Sequence, residues 1–307
     1  MDKLFLLDAY ALIYRAYYGF IKNPRINSKG ENTSAILGFV NTLEDLLAKE
    51  NPQYIGVAFD PSGPTFRHEI YPPYKAQREE TPEAIRFAVP IIKDILKSYR
   101  IPVIEVMGYE ADDVIGTLAR QSEALEGIET YMMTPDKDYG QLVSEKVKIY
   151  KPRHDGGFDI IGVEEVKEKY GIGHTSQIID LLGLMGDSSD NYPGCPGVGE
   201  KTAVKLINQF GSTEAMVERI DELKGAIKKK VEEHVEDIKM SKFLATIKTD
   251  VPVTLNLEQL RREEKDEIAL RSIFDNLEFR ALSQRLFNTP SPTPKPKESK
   301  KKKEDNL

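Results

Sequence analysis

The sequence predicts an α/β fold: a central, mostly parallel sheet flanked by helices, followed by a mainly helical C-terminal region. Two observations predict it. Over the first half, short apolar runs alternate with segments of helical period, the pattern of a parallel sheet covered by helices. Over the second half only the helical period persists. A third observation says where chemistry belongs. Each apolar run is followed by an acid, Asp8, Asp60, Glu110 and Asp136, and parallel sheets bind ligands beyond the carboxyl ends of their strands.

The elements follow in order. KLFLLD (3–8) is an apolar run ending at Asp8, and SAILGFVNTLEDLLAK (34–49) has helical period. QYIGVAFD (53–60) is a second strand ending in Asp60, followed by a polar, Pro-rich segment. Thr81-Pro82-Glu83 reads as an N-cap, a first-position proline and a first-turn acid, opening a helix to about Tyr99. IPVIEV (101–106) is the third strand, and the helix after it carries Glu110, Asp112 and Asp113. IETYMMT (128–134) is the fourth, followed directly by PDKD. Helical patterns then cover 176–187, 197–211, 213–247 and 263–286. The expected division is an α/β core over 1–172 that includes an inserted segment at 61–82, a helical region over 173–287, and a Pro/Ser/Lys-rich tail over 288–307 with the composition of a disordered linker. No internal repeat is visible.

Bulk properties narrow the chemistry. The chain has 307 residues, 40% apolar and 30% charged, enough for one large or two ordinary cores. A net charge of −7 argues against a polyanionic partner, unless many acids are gathered at one place and neutralised by metal. The only cysteine, Cys195, excludes an internal disulfide and a Cys-rich zinc site, and suits a reducing cytoplasm. The start, MDKLFLLDAYALIY, does not read as a signal peptide, and no run is long and apolar enough to span a membrane. His68, His154, His174 and His234 lack ligand spacing, so any metal should be an oxygen-bound one such as Mg²⁺ or Mn²⁺.

Three constellations carry chemistry. The first is acidic: Asp8, Asp60, Glu110, Asp112 and Asp113 in YEADDVIG, Asp136 and Asp138 in TPDKD, Asp187 and Asp190 in GDSSDN. Any one pair could be a solvated face or a helix-start signal. Together, at successive strand ends, they point to a cation cluster. Helical spacing places Glu110 and Asp113 on one face and turns Asp112 elsewhere, unless the first turn is irregular. The second is PGCPGVGEKTA (193–203), a Gly-rich turn before a helix. It is either a plain helix–helix connection or a helix-hairpin-helix turn gripping a nucleic-acid backbone, with Gly194, Gly197 and Gly199 allowing close approach and Lys201 adding charge, and it lacks the P-loop spacing. The third is PTFRHEIYPPYKAQR (64–78), where Arg67, His68, Lys75 and Arg78 alternate with Phe66, Tyr71 and Tyr74. It is a polar surface loop or a strand-binding segment. Tyr14, Arg15, Tyr17 and Tyr18 form a smaller mixed patch.

FDPSGPTFRHEIYPPYKAQR, GYEADDVIG, TPDKDYGQLV and LMGDSSDNYPGCPGVGEKTA, in this order, closely resemble the 5′-nuclease (flap endonuclease) family, above all the 5′→3′ exonuclease domains that begin bacterial DNA polymerases I. The resemblance runs from about Lys3 to Phe287. It implies a PIN-like or resolvase-like sheet, a helical arch over 61–82, and a helical DNA-binding region with a helix-hairpin-helix. It implies a nuclease that removes 5′ flaps and RNA primers with two or more Mg²⁺ or Mn²⁺ ions. Asp8, Asp60, Glu110 and Asp112 match the tighter metal group. Asp136, Asp138, Asp187 and Asp190 match the second, with Asp113 shared or behind it. Lys75 and Arg78 match the catalytic arch cations, and Tyr74 the arch aromatic that stacks on substrate. Arg15 and Arg67 match phosphate contacts, and the Gly197–Thr202 turn a K⁺ site. The implied partners are DNA with 5′ flaps, nicks or RNA primers. The chain is expected to be a bacterial, cytoplasmic, nucleoid-associated monomer, either excised from a polymerase or standing alone. Ala9 and Gln77 depart from the family's usual residues without removing a ligand.

Function classes other than a metal-dependent phosphodiesterase are weaker. A non-catalytic nucleic-acid binder gains nothing from this many acids near phosphate. A haloacid-dehalogenase-type phosphotransferase needs a D-x-D pair where this chain has Asp8-Ala9-Tyr10. A PIN-like ribonuclease lacks the 64–78 segment and the PGVGEKTA turn.

Overall fold

The computed structural model describes residues 1–153 and 155–287; His154 and the expected tail over 288–307 lie outside the described residues. Its centre is a six-stranded sheet. β1 (Asp2–Asp8) leads into α1 (Ala9–Gly19) and α2 (Ser34–Glu50), and β2 (Tyr54–Ala58) into the five-residue α3 (Phe66–Ile70) and α4 (Glu83–Ser98). β3 (Val103–Ile104) precedes α5 (Ala111–Ser122), and β4 (Ile128–Met133) precedes a 3₁₀ turn at Asp138–Leu142. β5 (Val147–Pro152) and β6 (Phe158–Ile161) close the sheet before α6 (Val163–Tyr170). The order is β3-β2-β1-β4-β5-β6, parallel except for β6, which runs antiparallel to β5.

Strand β1 is apolar from Leu4 to Leu7 because both its faces are covered there. Leu4 and Leu6 face one core, with Val114, Leu118, Leu181 and Leu206. Phe5 and Leu7 face the other, with Ile13, Phe39, Ile92 and Phe274. Successive residues of one strand thus serve two helical layers.

The C-terminal region holds α7 (Ile178–Met185), α8 (Glu200–Phe210), α9 (Thr213–Glu218), α10 (Gly225–Glu233), α11 (Val235–Ala245), α12 (Leu257–Leu260), α13 (Glu267–Asn276) and α14 (Arg280–Phe287). It does not pack as a separate body. Helices α7, α8 and α11 share the core beneath α5, while α13 and α14 return to the opposite layer with α2 and α4. Two placements carry the sequence's chemistry. The 61–82 segment contains one short helix and turns rather than a tall helical arch. It lies down against the 187–191 loop, with Lys75 N donating to Asp190 O (2.9 Å) and Asn191 Nδ2 to Pro73 O (2.7 Å).

Several local expectations change. Helix α4 begins at Glu83 with Pro82, not Thr81, at its N-cap. The third strand shortens from 101–106 to Val103–Ile104, leaving Glu110 on the loop before α5. β5, β6 and α6 carry no expectation from the sequence.

Candidate active site

Each acid is delivered by a local device. Asp8 ends β1 and N-caps α1: its Oδ1 accepts from Ala11 N (3.1 Å). Its Oδ2 accepts from Tyr139 Oη (2.9 Å) and Thr134 Oγ1 (3.4 Å). Asp60, just past β2, accepts from Ala111 N at the start of α5 (2.7 Å). Asp112 Oδ1 accepts from Asp113 N (2.7 Å) and Asp136 Oδ1 from Asp138 N (2.9 Å). Asp187 Oδ1 accepts from Ser189 N (2.6 Å), which curls the GDSSDN loop around it. That loop exists because Gly186 (φ +67) and Gly194 (φ +59) touch backbone to backbone. A Cβ on Gly194 would lie 2.2 Å from Gly186 N.

Asp8, Asp60, Glu110, Asp112 and Asp136 line one cavity of about 460 Å³ with Tyr10, Tyr14, Lys75 and Arg78. Asp190 reaches it through Lys75 (3.9 Å) and Arg78, and Asp138 through Asp136. Another cavity of about 480 Å³, between Pro24–Asn27 and the turn joining α13 to α14, contains none of these acids.

The electrostatics are those of crowded carboxylates. Burial, then the charge of Asp60, pushes Asp8 up to about 7. Burial, then Asp136, pushes Asp138 up to about 7. Asp112 is raised well above its ordinary value by burial and by Asp113, and Asp60 and Asp136 are raised chiefly by burial although both reach solvent at the cavity mouth. Glu110 goes the other way. Burial opposes its charge, but Lys75 and Arg67 outweigh burial and hold it below the usual range.

The two cations are counter-ions here. Lys75 Nζ lies 2.7 Å from Glu110 Oε1, from a backbone with φ +55, and Arg78 Nη2 pairs with Asp190. Among the described residues, no three acids converge closely enough in this conformation to hold an ion. The donor set nevertheless fits a hard divalent cation: all oxygen, anionic and crowded. Asp138 Oδ1 is buried without a hydrogen-bond partner, an acceptor left open.

Residues 3–171 match the family model for the 5′-3′ exonuclease N-terminal resolvase-like domain, and residues 174–268 that for the 5′-3′ exonuclease C-terminal SAM fold. The chain belongs to the 5′-3′ exonuclease family. Family relatives include DNA polymerase I of Bacillus caldotenax, 42% identical over 288 residues that span 92% of this chain and 32% of the relative. DNA polymerase I of Bacillus subtilis (strain 168) is 42% identical over 287 residues, with the same shares of the two chains. The chain thus spans about a third of the length of these relatives. Among solved structures, the T5 D15 protein co-crystallised with metal ions superposes with a TM-score of 0.67 at 20% identity, over 90% of this chain and all of that one. The catalytic core of Rad2 in complex with DNA substrate does so with 0.59 at 21%, over 91% and 88%. At these identities the likeness speaks for the shared fold.

Within this exonuclease scaffold four site residues stand differently from the sequence reading. Asp113, not Asp112, turns away from the cavity. It is fully buried, and its oxygens accept from Arg67, Glu110 N and Lys248 N. Arg67 is 1% exposed, so it cannot meet a DNA phosphate in this conformation. Tyr74 is 3% exposed, its hydroxyl donating to Glu110 Oε2 (3.0 Å), so its ring is not free to stack on a base. Arg15 reaches Arg153 O rather than the cavity. The Gly-rich turn, in the same α7–α8 connection as Asp187 and Asp190, contributes no residue to the lining of the acidic cavity: Gly197 has φ +76, Gly199 N-caps α8, Lys201 is exposed and Thr202 N bonds Gly199 O (3.0 Å).

Sequence reasoning missed Thr134 and Tyr139, which hold Asp8. Both lie inside TPDKDYG, so the signal was present. A threonine and a tyrosine flanking clustered acids are ready O–H donors for a buried carboxylate.

Proposed function

We propose that this chain is a structure-specific 5′→3′ exonuclease and 5′-flap endonuclease that hydrolyses DNA and RNA-primer phosphodiesters in replication and repair, using Mg²⁺ or Mn²⁺. One observation carries the reading: acids from successive strand ends share one cavity with Lys75 and Arg78. Asp8, Asp60, Glu110 and Asp112 would hold one ion, and Asp136, Asp138, Asp187 and Asp190 a second. When bound, such ions supply positive charge that polarises the phosphodiester and activates the attacking water.

The chain's own residues do the rest. Lys75 and Arg78 neutralise Glu110 and Asp190. With those carboxylates engaged as metal ligands, Lys75 and Arg78 would be free to face the phosphate and stabilise the charge of the transition state. The 73–78 segment must then lift from the 187–191 loop, which gives the arch role to a segment that is folded down here. Gly197, Gly199, Lys201 and Thr202 would hold duplex backbone away from the scissile bond, with K⁺ as a candidate ion at that turn. The lengths of the relatives support a chain that works as the nuclease part of a bacterial polymerase, in the cytoplasm at the nucleoid. We take it to act as a monomer.

A 5′-labelled flap duplex and a matched blunt duplex, each with Mg²⁺ or EDTA, test this directly. The expected result is release of the flap, with 5′-phosphate and 3′-hydroxyl ends, in Mg²⁺ only. Equal cleavage in EDTA would refute the metal-dependent mechanism, and no cleavage of either duplex in Mg²⁺ or Mn²⁺ would refute the nuclease.

A further inference from the structure

Arg67 heads the largest fully buried side chains among the described residues, and it sits at the base of the segment that covers the active site. A guanidinium has five N–H groups, and here each has an acceptor. Nε donates to Leu244 O (2.9 Å), Nη1 to Asp113 Oδ2 (2.8 Å) and Glu110 Oε2 (3.2 Å), and Nη2 to Asp113 Oδ1 (2.8 Å) and Thr246 O (2.8 Å). Asp113 is equally saturated. Beyond the two-pronged pair with Arg67, it accepts from Glu110 N (3.1 Å) and Lys248 N (2.8 Å). Neither residue has a valence left for a metal ion or a phosphate.

The pair joins three parts of the molecule: α3, the N-terminus of α5, and the chain leaving α11. The carboxylate it touches on the cavity side is Glu110. Its backbone contact at Glu110 N fixes the turn that also carries Asp112. We propose that Arg67 and Asp113 are positioning residues. They set the direction of the Glu110 carboxylate and the first turn of α5, and through these the cation affinity of the acidic site, while making no contact with substrate. This inference rests on the metal-site reading above. It assigns the loss expected on changing Arg67 to metal affinity rather than to phosphate binding. Lysine cannot reproduce the fork that spans both oxygens of Asp113 and the carbonyls beyond.

The test uses the whole chain in three forms: wild type, Arg67→Lys and Asp113→Asn. Arg67→Lys keeps the buried charge, and Asp113→Asn keeps the shape, so a folding failure in one leaves the other as the measurement. Mn²⁺ binding is titrated without DNA. Flap-DNA affinity is measured in Ca²⁺ across a salt series. The expected result is at least about tenfold weaker Mn²⁺ binding in both variants, with the salt dependence of DNA affinity unchanged. Lys201→Ala serves as the contrast, with a shallower salt slope and wild-type Mn²⁺ affinity. Unchanged Mn²⁺ affinity in the folded variants would overturn the positioning role. A wild-type chain that binds no Mn²⁺ would overturn the metal centre and this inference with it, so the wild-type titration separates the two failures.

Discussion

Among single residues, Asp112 is where cost and use separate most clearly. Its Oδ1 holds Asp113 N, its carboxyl faces the cavity, and burial with the neighbouring charge of Asp113 makes its ionisation unfavourable in the metal-free protein. An amide oxygen can keep the backbone bond while the charge is lost. Asp112→Asn should therefore unfold in EDTA at the wild-type temperature or above it, while cleavage in Mg²⁺ falls by roughly 10²-fold or more. Thermal melts and flap turnover check the two halves separately, and full turnover would remove Asp112 from the metal group. The acids were legible as residues because parallel strands deliver their ends to one edge, a rule that needs only chain order. The burial of Arg67 was not. A cation interleaved with aromatics looks the same in sequence whether it faces solvent or core, and its partners Asp113, Leu244 and Thr246 lie far along the chain. Nor was the place of Asp112 in the cavity: the capping contact between Asp113 and Glu110 N draws Asp113 into the core and leaves Asp112 to face the acids.

At the scale of elements, what was legible tracked how strongly burial shapes the sequence. β1 and β2 are covered on both faces and read as apolar runs. β6 is an edge strand and β5 lies beside it, where Lys148 pairs with Glu129 and the exposed positions of β6 break the pattern. The GDSSDN loop shows the complementary case, an element specified by glycine rather than by apolar period. Gly186 and Gly194 have positive φ and no room for a Cβ, whereas Gly199 has φ −93 and open space beside it. Gly194→Ala should destabilise the chain by about 2 kcal/mol or more and displace Asp187 and Asp190 together, lowering cleavage with stability. Gly199→Ala should fold within about 1 kcal/mol of wild type. Denaturant midpoints for the two variants decide it, and equal tolerance at both positions would mean that the loop's backbone contact is not needed.

For the whole molecule, the proposed metal site would make stability depend on pH and on divalent ions together. Asp8 and Asp138 are held near pH 7 in the fold against about 4 in an unfolded chain. Between those limits the folded state binds the extra protons, so metal-free stability falls as pH rises from about 4 to about 7 and then levels. At about 1.4 kcal/mol per pH unit for each group, the penalty above pH 7 is a sizeable part of an ordinary folding free energy. Cations that bind only the folded, deprotonated site remove that penalty and add their own binding energy. The full chain in EDTA should therefore melt lower at pH 8 than at pH 5.5, by on the order of 5 °C. Saturating Mg²⁺ should raise the melting temperature markedly at pH 8 and little at pH 5.5, where protons already occupy the carboxylates. Calorimetry at both pH values, with and without Mg²⁺, measures this directly. An equal Mg²⁺ shift at the two values would mean that the ions bind away from Asp8 and Asp138, and that the net charge of −7 is relieved elsewhere on the molecule.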